Sequence, residues 1–369
     1  MHTTSRAVGG RGRTATPRVL TGTALPREIW RELLDSDSAA VPTQSPEWLE
    51  SLTAVGGYQD ASRLYEMPDG RRALLPLVRR SYLRGGPAIL HSMPSSWGYG
   101  GLIAPDGVTA DLVGAVLDDL AANPALRVHI RPNPLHAAAW ADAAAGRPQV
   151  TAVAARAHIL DLTGGFDAVW RDGFKAATRT RVRRAEKDGV TIETDSTGRL
   201  VPVFYRLLLC SFDRWADQQH EPRWMGRLRG RNRDPLRKFE SIAARMGGGC
   251  RISVAWFRGD PVAATLVLQG PSAAHYTRGA MDATLAAKLN ANYLLQTAAI
   301  REACRSGCRT FHMGESGRSS GLNQFKSRFG ARAHDYAEYW IEKVPVYRAD
   351  RAARAAVKRL IGFRDAAQT

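Results

Sequence analysis

The stretch RISVAWFRGDPVAATLVLQGPSAAHYTRGAM, residues 251–281, decides the architecture. Arg251–Phe257, Val262–Leu268 and Ala274–Met281 are strand-forming runs separated by Gly259-Asp260-Pro261 and Gly270-Pro271. Runs of this length bounded by turn formers predict three consecutive strands. Downstream, Leu289–Cys304 carries Ala291, Leu294, Leu295 and Ala298 at helical spacing, Gly307 stops the helix, and Thr310–Met313 predicts a closing strand.

Working outward, the first half of the chain shows the same order. Ala61–Met67, the turn Pro68-Asp69-Gly70 and Arg71–Val78 predict a hairpin. Ala88–His91 and Gly101–Ala104 predict short strands, Thr109–Ala122 a helix, and Leu126–Ile130 another strand. The repeat is one of element order and not of residue identity. It predicts an α/β (α+β) fold of two tandem units, each a mixed, largely antiparallel sheet flanked by helices. Residues 1–20 hold four arginines and no acid and read as a disordered tail; 21–150 form the first unit and 151–345 the second. Small residues around Ala141–Ala157, with Gly146-Arg147-Pro148, read as the linker. Residues 346–369 read as a basic helix packing back on the first unit.

A chain of 369 residues with 44% hydrophobic content can bury a large core. Its 52 Lys and Arg against 35 Asp and Glu give a formal charge of +17, which attracts polyanions by long-range field and counterion release. No apolar run approaches bilayer length, the basic tail lacks the apolar core of a signal peptide, and Cys210, Cys250, Cys304 and Cys308 form no secretory framework. These features predict a cytoplasmic protein.

The charge is concentrated. Gly164–Gly189 reads as one long helix with Lys175, Arg179, Arg183 and Lys187 on one face, beside an apolar stripe of Trp170, Phe174, Val182 and Ala185. Such a row either tracks a phosphate backbone or is a solvated face. RLRGRNRDPLRK, residues 227–238, sets six cations, among them Arg229, Arg231 and Arg233, against Asp234 in what reads as a flexible loop. Cys304, Cys308 and His312 are spaced by four, but Gly307 separates helix from strand between them, and no metal site is expected. Gly314-Glu315-Ser316-Gly317 lacks the spacing of a serine-hydrolase elbow, and no Walker loop occurs.

A strand hairpin, a further strand, a helix and a strand resemble the GNAT acyltransferase unit, here present twice. GNAT enzymes hold acyl-CoA pyrophosphate on a glycine-containing loop at the start of this helix; the corresponding segment, DATLAAKLN at 282–290, has no glycine, although Lys288 could meet a phosphate. RTRVRRAEKDGV (179–190), GDPVAATLVL with HYTRGAMD, NANYLLQTAAIREACRSG, and FHMGESG with LNQFKSRFGA resemble segments of the Fem family of aminoacyl-tRNA-dependent transferases, which are built from two GNAT-like domains. The matches cover most of residues 95–335, the FKxxFG block, FKSRFG at 325–330, being the most specific. The resemblance implies that Lys326 stabilises the oxyanion formed on an aminoacyl ester and that Phe325 holds the tRNA end. It implies acceptor-binding roles for Arg214, Tyr276 and Tyr99, the last within Tyr99-Gly100-Gly101, and a substrate-side place for Glu315, either as proton acceptor or as salt-bridge partner.

The expected activity is amide formation between the aminoacyl group of a charged tRNA, bound by the basic elements and Lys288, and an amine of a small molecule or peptide. No resident cofactor is expected. An acyl-CoA N-acyltransferase is the alternative enzyme, and a catalytically inert RNA-binding module the alternative from another class. The lysine that cell-wall members carry after their Q-S-x-x-W element has no counterpart after Gln44-Ser45-Pro46-Glu47-Trp48, which speaks against a muramyl-nucleotide acceptor.

Overall fold

The computed structural model describes residues 17–22, 25–81, 86–317 and 319–343. The first half runs β1 (Arg18–Thr21), α1 (Arg27–Ser36), α2 (Pro46–Gly56), β2 (Gln59–Asp60), β3 (Arg63–Glu66), β4 (Arg72–Leu75), β5 (Val78–Ser81), β6 (Ala88–His91), α3 (Ala110–Ala122), β7 (Arg127–Ile130) and α4 (Ala137–Ala144). The second runs β8 (Val150–Asp161), α5 (Gly165–Ala168), α6 (Ala176–Lys187), β9 (Thr191–Asp195), α7 (Val201–Gln218), α8 (Arg223–Arg233), α9 (Leu236–Met246), β10 (Cys250–Phe257), β11 (Asp260–Gln269) and β12 (Ala273–Met281). It closes with α10 (Ala283–Lys288), α11 (Ala291–Arg305), β13 (Thr310–Glu315), α12 (Ser320–Ser327) and β14 (Arg332–Glu342).

Eleven strands form one sheet in the order β2-β5-β6-β7-β14-β8-β13-β12-β11-β10-β9. The order of elements is that of two GNAT-like units side by side, each with one parallel pair, β6 with β7 and β12 with β13. β14 lies between the halves, antiparallel to β7 on one side and to β8 on the other. One apolar core runs beneath both halves on one face, joining Trp30 and Trp48 of α1 and α2 to Phe204, Phe212 and Phe239 of α7 and α9. On the other face, α6 and α11 cover the second half and α3 and α4 the first.

Several sequence expectations change. Residues 18–20, placed in the tail, join Thr21 in β1, which pairs with β3 as an edge strand. The hairpin forms, but with β1 it makes a separate three-stranded sheet, and its second run splits at Pro76 into β4 and β5. Gly101–Ala104 makes only an isolated bridge, Ile103 to Leu74. The segment read as a linker is helix α4 and the start of β8. Gly164–Gly189 is broken: a turn at Val169–Gly173 ends at Phe174, whose extended backbone turns its ring into the core against Phe329, and α6 starts after Lys175. Residues 227–238, read as a loop, are the end of α8 and the start of α9. Gly226 and Gly230 do not break α8; they let it approach α7, since a Cβ there would lie 2.6 Å from Ala216 Cβ and 2.5 Å from the Phe212 ring. The basic helix expected at 346–369 and most of the tail lie outside the described residues.

The FKxxFG block ends at such a close approach. Gly330 has φ +86°, and a Cβ there would lie 2.8 Å from Gly173 Cα. Gly330→Ala therefore combines left-handed strain with a backbone clash, and is expected to destabilise the fold by about 2 kcal/mol or more. Gly173→Ala, whose Cβ would find its nearest atom at 3.5 Å, should cost less, and the order of the two urea midpoints checks the assignment.

Candidate active site

β12 and β13 pair in parallel only through Ala273–His275 and Thr310–His312. Beyond that point the strands separate, and a cleft of about 660 Å³ opens between Tyr276–Met281 on one side and Met313–Glu315 on the other. Residues of the first half, Trp48, Ser95, Ser96, Gly98, Tyr99 and Arg131, form another wall, so the cleft lies where the two halves meet.

β13 bulges at this point: His312 pairs with Ile159 but Glu315 with Ala157. The carbonyls of Gly314 and Glu315 each accept a hydrogen bond of 2.8 Å from Lys326 Nζ. Helix α12, started by the Ser319 hydroxyl accepting the Leu322 amide, aims Lys326 back at the bulge. Lys326 is 4% exposed, and burial lowers its pKa to about 7, with the nearby Glu315 carboxylate opposing the shift. Phe325, half-buried on the same helix, packs edge-on against Tyr293 at 5.3 Å and Phe329 at 5.2 Å.

Glu315 is engaged on its side chain by two partners, the guanidinium of Arg131 and the hydroxyl of Tyr336, which donates at 2.6 Å. Arg131 is 7% exposed and donates a second bond, 2.9 Å, to Glu338, which also meets His129 at 2.9 Å. Burial works against the Arg131 cation, but Glu315 and Glu338 more than offset it and hold its pKa above the ordinary arginine value. A second buried cluster stands behind the opposite wall. Asp234, fully buried, accepts from Lys238 at 2.8 Å, from Arg278 at 2.9 Å and from Arg233 at 2.8 Å, and so fixes Arg278 at the cleft. Burial lowers the pKa of Lys238 to about 8, partly offset by Asp234, and its ammonium sits 4.3 Å from the Trp97 ring centroid.

The cleft also exposes unmet hydrogen-bonding capacity. Tyr99 Oη, Thr265 Oγ1, His275 Nδ1, Gln296 Nε2, Arg214 Nη1 and Arg278 Nε all belong to lining residues, are buried, and have no partner among the described residues. Buried polar atoms are nearly always paired in folded proteins, so six orphans around one cleft mark a place for a polar ligand. The wall is also sorted by charge. Thr265 pairs across the sheet with Gly279 on the α11 face, beside the uncharged Gln296, whereas Arg278 pairs with Leu266 on the α7 face. Tyr276 shares the α11 face; burial raises its pKa to about 12, and only a glycine at 279 leaves room for its hydroxyl, which would otherwise meet a Cβ at 2.1 Å.

Thus Lys326, Phe325, Arg214, Tyr276, Tyr99 and Glu315 all line one cleft. Tyr99 is held by stacking on His275 at 5.1 Å. Arg214, supplied by α7, has its pKa lowered by burial. Of the two roles open to Glu315, its contacts are those of a salt-bridge partner. The residues assigned to tRNA do not form one patch. Lys175, Arg183 and Lys187 are exposed at the start of and along α6, and Lys288 is exposed at the end of α10 on the same face. Arg179 instead donates to the carbonyls of Trp170, Arg171 and Phe174, terminating the preceding turn. Arg229, Arg231 and Arg233 lie on α8, across the sheet; Arg229 pairs with Glu221 and Arg233 with Asp234. Sequence reasoning missed Arg131, Glu338, Tyr336, Asp234 and Arg278.

The 282–290 segment is no open phosphate loop. It folds as α10, whose first amides, Thr284 and Leu285, are taken by the Asp282 carboxylate. Among the described residues no cluster of His, Cys, Asp or Glu is arranged to hold a metal, and no helix is long and apolar enough to cross a membrane.

The fold is that of two GNAT-like units, and residues 173–327 match the family model of the acetyltransferase (GNAT) domain. Over its wider length the chain has the fold of FemX, whose crystal structure superposes with a TM-score of 0.67 at 13% identity, covering 90% of this chain and 99% of that one. A conserved protein of unknown function from Bacteroides thetaiotaomicron gives 0.53 at 12% identity over 86% of this chain and 98% of its own. The C-terminal domain of an Agrobacterium fabrum protein named for lysylphosphatidylglycerol synthetase gives 0.51 at 16% over 93% and 97%. No curated protein matches the sequence.

Arg131 neutralises two carboxylates at once. Removing it in Arg131→Met leaves the half-buried Glu338 and the more exposed Glu315 without their cation and should destabilise the protein by about 3 kcal/mol at pH 7, the lower end for a broken buried pair because only the arginine is fully buried. Burial opposes ionisation of Glu338, yet His129 and Arg131 hold its pKa below the usual value. Its contribution is therefore present above the unfolded-state pKa and lost as pH falls through the folded one. The difference between wild type and variant should shrink below about pH 4, as chemical denaturation across pH will show.

Proposed function

We propose that the protein transfers the aminoacyl group of a charged tRNA to an amine of a small molecule or peptide, forming an amide in the cytoplasm. The observation that carries this reading is the placement of Lys326: a buried amine fixed by two carbonyls at the point where parallel strands part, within the FKxxFG block that resembles the Fem signature. The acceptor nitrogen attacks the ester carbonyl, the C–N bond forms, and the bond to the ribose oxygen breaks. The proton shed by the nitrogen ends on that oxygen. The negative charge that develops on the carbonyl oxygen in between meets the Lys326 ammonium, already oriented and largely stripped of water.

The arrangement around 282–290 favours this donor over acyl-CoA. The amides that would cradle a pyrophosphate are occupied by Asp282, and its carboxylate adds a negative charge where a pyrophosphate would approach. The charge-sorted walls suit two substrates entering from opposite faces, the acceptor beside Arg214 and Arg278 and the acyl group beside Thr265, Tyr276 and Gln296.

Incubation with labelled aminoacyl-tRNA pools and candidate amines should give an amide product, and RNase treatment of the donor beforehand should abolish it. Product formed from acyl-CoA in the presence of RNase would overturn the reading. Lys326→Ala should lower kcat by ~100-fold or more with the unfolding midpoint little changed. Because burial lowers the Lys326 pKa to about 7, the ammonium is lost in the folded protein as pH rises through that value. Oxyanion stabilisation should therefore contribute a falling limb to the kcat profile above about pH 7, and Lys326→Arg, which stays charged, should remove that limb even if it reacts more slowly.

A further inference from the structure

We infer that Arg181 and Arg328 form a phosphate-binding site beside the cleft, one ring beyond the lining residue Phe325, filled by the phosphodiester nearest the acylated end of the donor. The identity of that ligand rests on the tRNA reading above; the site itself does not. Arg181 comes from α6 and Arg328 from the end of α12, and both donate to one oxygen, Tyr293 Oη, at 3.2 and 2.9 Å. Arg181 also lies over the Tyr293 ring, its Cζ 5.0 Å from the centroid. Among the described residues neither guanidinium has a carboxylate within ion-pair distance, whereas Arg223, Arg227 and Arg229 of the basic helix α8, across the sheet, each have one.

Two cations converging on a single neutral hydroxyl repel each other, and the hydroxyl has only two lone pairs to offer against ten guanidinium N–H groups. A phosphate answers both deficits, supplying negative charge and acceptors in the planar fork geometry that arginine matches. The pair is also held in place. The Arg328 carbonyl accepts from the Lys175 amide at 3.0 Å and the Thr178 hydroxyl at 3.1 Å, which locks the end of α12 onto the start of α6. Tyr293 connects the site to the chemistry, because its ring packs against Phe325, the neighbour of Lys326 in the cleft. With an ester carbonyl at Lys326 and a nucleotide base or ribose against Phe325, the next negative charge of the donor falls outside the cleft, where the arginines wait. The exposed Lys175, Arg183 and Lys187 continue the positive charge along α6.

The test uses the full chain and two probes, an uncharged RNA minihelix with a single-stranded 3′ end and CoA, followed by fluorescence anisotropy at several salt concentrations. Arg181→Gln with Arg328→Gln should weaken minihelix binding about tenfold and reduce its salt slope by about 1. In the transfer assay the same double variant should raise the KM for charged minihelix. The Arg181→Lys, Arg328→Lys double variant keeps the charge but not the fork, and should recover the salt slope more fully than the affinity. Unchanged binding of both probes in the glutamine variant, with an unchanged unfolding midpoint, would overturn the site. Loss of CoA binding with RNA binding intact would support the phosphate site and overturn the tRNA donor. Arginine-dependent RNA binding without transfer from any charged tRNA would likewise keep the site and sink the proposed activity.

Discussion

Everything at the cleft depends on the short parallel pairing of β12 with β13. Three residue pairs hold the strands together and then pairing stops, although both strands continue. A sheet interrupted in this way has backbone groups with no ladder partner, and a hydrophobic filling would leave them unpaired. The fold supplies polar groups instead. Lys326 takes two carbonyls on the β13 side, and the neighbouring walls carry hydroxyl, amide and imidazole atoms that no group among the described residues satisfies. The same discontinuity thus makes room for a substrate and sets the chemistry of what lines it.

Holding a bare ammonium there requires the surrounding charge to be settled. Glu315 would otherwise pull the lysine into an ion pair; Arg131 and Tyr336 engage that carboxylate instead, and Arg131 is steadied by Glu338 and His129. Lys326 is left with carbonyl dipoles as its hydrogen-bond acceptors, which orient it without neutralising it. On the other wall Asp234 does for Arg278 what Glu338 does for Arg131. The two clusters draw on both halves of the chain, so the electrostatics of the cleft, like its walls, require both.

Much of this was legible in the sequence where local rules act. Turns at Gly259-Asp260-Pro261 and Gly270-Pro271 marked three strands, the 3.6 spacing in 289–304 marked α11, and the FKxxFG block pointed to Lys326. The misreadings arose where a long-range contact overrode a local one. Gly230 counted toward a loop at 227–238 because its partner, Phe212, comes from another helix. β8, VTAVAARAHILD, is rich in alanine, and small residues read as a linker when the strands that pair with it, β13 and β14, are unknown. Arg131 gave no signal at all, since its carboxylates lie 184 and 207 residues away. A buried arginine announces itself only once its partners are placed.

β14 is the last strand of the described chain, yet it sits in the middle of the sheet. While the protein is being synthesised, the first half can collect β2, β5, β6 and β7, and the second can collect β8 through β13, but β7 and β8 both present open edges until residues 332–342 arrive. Open strand edges are templates for wrong partners. Contacts this distant in sequence also form late and slowly. The two halves are therefore unlike beads on a string: neither completes its sheet alone, and the cleft between them is assembled only when the last strand closes the seam.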